Sequence, residues 1–144
     1  MAVPADQGAR LRGVVHHIDL SVRDLAASAP FYEALLGFLG YTRVKQEAAL
    51  HVWDLVRGGR IVGGVALRAA HSARSHDRYS AGLHNLAFHA ADRADVDRAH
   101  LVMKEKGATI LDAPADYPQY GAGYYAVFVA DPDGLKLEVV HLPG

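Results

Sequence analysis

Hydrophobic and polar positions alternate along Val14-Val-His-His-Ile-Asp-Leu-Ser-Val22. Ile18, Leu20 and Val22 fall on one side and His17, Asp19 and Ser21 on the other, the period of a half-buried strand. From Leu25 to Leu39 the spacing changes. Ala29, Tyr32, Leu35, Leu36 and Leu39 recur at helical intervals, Asp24 is suited to the N-cap, and Gly40 follows the last turn. Pro30 lies inside this stripe and predicts either a kink or a regular helix that starts near Ser28. Strands are predicted at Tyr41–Gln46, Ala49–Val56 and Ile61–Ala69, the last two joined by the turn Arg57-Gly-Gly59. Residues 71–81 are a polar linker. The order then recurs, with a strand at Leu83–Ala90, an N-cap at Asp92, a helix over Ala94–Lys106 stopped by Gly107, and a strand at Thr109–Leu111. A loop rich in Pro, Tyr and Gly spans Asp112–Gly123. A strand at Tyr124–Ala130, the turn Asp131-Pro-Asp-Gly134 and a last strand through Val140 complete the chain.

These elements read as two β-α-β-β-β modules, one over about 14–70 and one over about 82–142. His17 and His84, Gly40 and Gly107, and Thr42 and Thr109 are each 67 residues apart, a mark of internal repetition. The expected fold is therefore α+β, with two curled sheets around a cavity and a helix on the outer face of each. Residues 13–144 form one domain in this reading, after a disordered lead-in at 1–12.

Bulk properties narrow the function classes. The chain has 144 residues, a formal net charge of −1, nine histidines and no cysteine. The absence of a basic stripe argues against nucleic acid, and the absence of cysteine removes disulfides and thiolate metal sites. No apolar run is long enough to span a bilayer and the N-terminus has no apolar signal core, so a cytoplasmic enzyme or small-molecule binder is expected.

The last strand carries the chemistry. Leu135, Leu137 and Val139 alternate with Lys136, Glu138 and Val140, so Glu138 stands mid-strand opposite an apolar face. A carboxylate in a concave interior needs a partner. His17 and His84 occupy matching places in the two modules, and the offset selects His17 over His16. A strand histidine taken alone is more often a core or surface residue. Two imidazoles and a carboxylate converging on one point would hold a divalent cation with open positions for substrate.

The runs His16-His-Ile-Asp-Leu-Ser-Val-Arg-Asp-Leu25, Phe31-Tyr32, Leu36-Gly37, Gly82-Leu-His-Asn-Leu-Ala-Phe88 and Asp131-Pro-Asp-Gly-Leu-Lys-Leu-Glu138 resemble the vicinal oxygen chelate superfamily. That group includes glyoxalase I, bleomycin-resistance proteins, fosfomycin-resistance thiol transferases and extradiol dioxygenases. The resemblance covers residues 14–140. It implies a metal at His17, His84 and Glu138 (Zn, Ni, Mn, Co or Fe) that acts as a Lewis acid on a small oxygen-chelating substrate, in a lyase, isomerase, thiol-transferase or dioxygenase reaction. It also implies a homodimer, with the site built within one chain or across two. Glyoxalase I enzymes carry a fourth ligand, a Glu, on the last strand of module one. Aligning on the preceding turn puts Gly64 there and the strict offset puts His71, so no carboxylate is present. Asp19 and Tyr125 are candidate catalytic groups. His51, Trp53, Arg68, Tyr120 and Tyr124 are candidate substrate contacts, and Tyr117, Tyr120, Tyr124 and Tyr125 are a candidate lid hinged at Gly121 and Gly123. The alternative is a non-catalytic drug- or small-molecule-binding protein of the same fold, of the kind that confers antibiotic resistance.

Overall fold

The computed structural model describes residues 9–144. Of the lead-in, residues 9–11 are helical and 1–8 lie outside the described residues. The elements are β1 (Ile18–Val22), α1 (Leu25–Phe38), β2 (Thr42–Gln46), β3 (Leu50–Arg57), β4 (Arg60–Ala69), β5 (Asn85–His89), α2 (Arg93–Glu105), β6 (Thr109–Asp116), a short 3-10 turn (Pro118–Tyr120), β7 (Tyr125–Ala130) and β8 (Lys136–His141). They form two four-stranded curled sheets of identical topology, β1-β4-β3-β2 and β5-β8-β7-β6. In each sheet the first strand pairs in parallel with the last, and the other pairings are antiparallel.

Alternation decides which face of each sheet is covered. Leu20, Val22, Trp53, Val65 and Leu67 of the first sheet share one apolar cluster with Val127, Val129, Leu137 and Val139 of the second. Tyr32, Leu35 and Leu36 of α1 and Val96, Ala99 and Met103 of α2 complete it. Each helix packs on its own sheet and the two helices touch. Alternate residues of each strand thus face the helices, even-numbered in β1 and β5 and odd-numbered in β3, β4, β7 and β8, and the intervening ones form an open face.

Asp24 accepts from the N–H groups of Ala26 and Ala27, and Asp92 accepts from that of Asp95. Pro30 sits well inside a regular α1, so this helix starts at Leu25 and not near Ser28. Two observations locate the repeat. The N-caps Asp24 and Asp92 are 68 residues apart, whereas Gly40 and Gly107 beyond the helices are 67 apart. The missing residue lies in the helices, which have 14 and 13 residues. Strand β6 runs on to Asp116, where a loop was expected. Register shifts at Ile110/Asp112 and Asp112/Ala115 accommodate Pro114 in this edge strand.

Polar contacts join the modules at the turn before β8. Gly134 adopts φ 89°, and Asp131 Oδ1 accepts from the N–H groups of Asp133 and Leu135. The other carboxylate oxygen of Asp131 accepts from the Tyr32 hydroxyl of α1 at 2.7 Å. Asp133 accepts from Arg23 Nε at 2.6 Å and from its N–H.

Candidate functional site

Glu138 lies on the open face of the second sheet, since Leu137 and Val139 on either side enter the core. Its register partners are Ala87 on β5 and Phe128 on β7. It is only 3% exposed, and protein donors meet both oxygens. The Tyr124 hydroxyl donates to Oε1, and Asn85 Nδ2 donates to Oε2 at 2.9 Å. Burial first, then the bond to Glu138 and its charge, push the Tyr124 hydroxyl well above the usual phenol range, so Tyr124 is a neutral donor here. Asn85 Oδ1 is buried and has no partner.

Aromatic rings wall this face. Tyr117 stands edge-on to Phe128 at 5.3 Å and to Tyr124, and stacks on Tyr120 at 5.8 Å. Lys136 Nζ lies 4.4 Å from the Phe128 ring centroid. The loop carrying the tyrosines is tied at both ends, by Tyr117 N–H to the Tyr124 carbonyl and Tyr124 N–H to that of Gly121. Gly123 has φ 77°, and a side chain there would meet Pro143 at 2.8 Å, so the C-terminal tail packs against the proposed hinge.

The first sheet presents a more polar open face. Asp19 accepts from Arg68 Nε at 2.7 Å and lies 3.8 Å from His17 Nε2, and His17 meets His16 at 2.9 Å. Asp19 pairs with Ala66 as Ala87 pairs with Glu138, so Ala66, and neither Gly64 nor His71, stands where Glu138 stands in the other module. No fourth carboxylate is present at that place.

Several expected site residues are elsewhere. His84 is not brought to Glu138. It precedes Asn85 and turns to the other side, where Nδ1 contacts the Arg78 carbonyl at 2.9 Å and the ring meets Tyr79 edge-on. Counted from the N-caps, the residue that matches His17 is Asn85. Trp53 and His51 face α1. Trp53 is fully buried and donates to Glu33 Oε2 at 2.6 Å, with His51 beside it. Tyr125 also faces the helix side, donating to Asp97 of α2 at 2.6 Å beneath the Arg93 guanidinium. Tyr124 and Tyr120 are at the aromatic wall, and Asp19 and Arg68 are ion-paired on the other sheet. Among the described residues, no three His, Asp or Glu side chains gather closely enough to hold a metal ion.

The family model of the Glyoxalase/Bleomycin resistance protein/Dioxygenase superfamily matches residues 14–139. The chain belongs to this superfamily. Uncharacterized protein YqjT of Bacillus subtilis (strain 168) is 33% identical over 126 residues, covering 88% of this chain and 97% of that protein. Uncharacterized protein YaeR of Escherichia coli (strain K12) is 34% identical over 128 residues, covering 87% and 93%. Among solved structures, a candidate glyoxalase from Bacillus halodurans superposes with a TM-score of 0.74 at 30% identity, over 91% of this chain and 97% of that one. A glyoxalase/bleomycin resistance protein from Albidiferax ferrireducens T118 superposes with 0.69 at 25% identity, over 89% and 98%. Divalent metals are in general use across the superfamily. In this member an amide stands at the position facing the Glu138 carboxylate.

Proposed function

We propose that the protein binds a small molecule without turning it over, on the aromatic open face of its second sheet, with the His17-bearing face of a second copy closing the cleft. The observation that carries this reading is the state of Glu138. Both its oxygens accept from neutral side chains, and the neighbouring imidazole is engaged on the opposite side of the strand. A carboxylate held in this way is an acceptor for a ligand's N–H or O–H groups. Tyr117 and Tyr120 add planar apolar surface with polar edges, backed by the buried Phe128 and suited to a flat or apolar ligand body. In one chain His17 and Glu138 belong to separate sheets, and a twofold-related copy would set one open face against the other.

The metal-dependent enzyme implied by the resemblance, a lyase, isomerase, thiol transferase or dioxygenase, needs two imidazoles beside Glu138. The donors present do not fit that ion, because Asn85 takes the place of the second imidazole. Calorimetric titration with fosfomycin, a bleomycin, the methylglyoxal–glutathione adduct and a catechol tests the choice. Expected is binding of at least one compound, unchanged by EDTA, lost in Tyr124→Ala, with the compound recovered intact. Turnover that requires a divalent ion and stops on chelation contradicts it.

A further inference from the structure

We infer that residue 85 decides whether this face holds a metal, and that asparagine there converts a metal-holding position into a hydrogen-bonding one. The inference rests on the reading of the Glu138 face as the binding site. Its basis is geometric. Asn85 corresponds to His17 when the modules are aligned on their N-caps, and its side chain already reaches the carboxylate. Two ligands of one tetrahedral zinc, each about 2.1 Å from it, lie about 3.4 Å apart. The 2.9 Å between Asn85 Nδ2 and Glu138 Oε2 is close to that separation. A ring nitrogen in place of the amide nitrogen would therefore need only a small outward shift to share a cation with Glu138.

The amide is also imperfectly accommodated. Its nitrogen is used, but Oδ1 is buried with no donor, a rare condition for a side-chain oxygen. An imidazole would leave no such oxygen behind. His84 does not substitute, because the adjacent strand position points to the other side and is occupied with the Arg78 carbonyl. The amide offers the carboxylate a hydrogen bond but a dication only a weak neutral oxygen, whereas a neutral imidazole offers the dication a ring nitrogen.

The test is zinc titration of the tag-free full chain by calorimetry, with folding followed by circular dichroism. Asn85→His is compared with the wild type, with Glu138→Gln, with Asn85→His/Glu138→Gln and with Asn85→Cys. The last is smaller than histidine and supplies the only thiolate in a chain without cysteine. Expected is at least a hundredfold tighter zinc binding in Asn85→His or Asn85→Cys than in the wild type, with the histidine's gain abolished by Glu138→Gln. Stoichiometric zinc in the wild type that is lost in Glu138→Gln would overturn both this inference and the ligand-binding reading. Folded variants that gain nothing over a metal-free wild type would overturn the inference alone.

Discussion

The site turns on which neighbour each oxygen of Glu138 has. Replacing Tyr124 by Phe removes the donor at Oε1 from a nearly buried carboxylate. The expected cost is about 1–3 kcal/mol, read as a lower urea midpoint. The pH dependence has a definite sign. The folded-state pKa of Tyr124 is raised, so its contribution is complete below the unfolded phenol value, about 10, and is lost as pH rises through the folded value. The gap in stability between wild type and Tyr124→Phe should therefore hold from neutral pH to about 10 and narrow above it. Glu138 itself was legible from alternation, since Leu137 and Val139 could only face a core. Asn85 was not, because an offset measured on residues beyond the helix was carried back across it. The caps Asp24 and Asp92 bracket the missing residue and are visible in the sequence, so the signal existed. Alternation does not decide where His51 and Trp53 point, because both faces of β3 mix apolar and polar residues, His51, Trp53, Leu55 and Arg57 on one and Leu50, Val52, Asp54 and Val56 on the other.

At the scale of elements, the strongest local device is the turn into β8. The Asp131 carboxylate serves two backbone N–H groups and the Tyr32 hydroxyl, and it fixes β8, hence Glu138, relative to α1. Asp131→Ala strands these three donors in a buried place. A loss of about 2–4 kcal/mol is expected, measured by chemical denaturation, with weaker ligand binding only as the fold loosens. A fall of under about 0.5 kcal/mol, the usual range for a surface change, would show that the turn does not depend on this carboxylate. The turn was readable, because Asp-Pro-Asp-Gly has one conformational solution at Gly134. The length of β6 was not. Pro114 signals a break, and only the irregular pairing with β7 shows how an edge strand continues past it. Pro30 was misleading in the same way, since burial of α1 against its own sheet and against α2 outweighs its missing N–H.

On the scale of the whole molecule, the two modules repeat each other in topology but not in chemistry. One open face carries His17, Asp19 and Arg68, and the other carries Glu138, Asn85 and the tyrosines. The α+β class and paired modules follow from hydrophobic period together with the cap and turn residues that recur in the same order in both halves. What converges was harder to read, since a ligand set depends on single residues and strand parity, and one residue of slip moves a side chain through the sheet. No helix among the described residues is long and apolar enough to cross a membrane. The most direct test is crystallography of the wild-type protein grown with millimolar zinc, with anomalous data collected at the zinc edge. The expected result is a density map with the Asn85–Glu138 and Tyr124–Glu138 hydrogen bonds intact and no anomalous peak at that carboxylate. A peak bonded to Glu138 together with His84, or with His17 of a second copy, would contradict it.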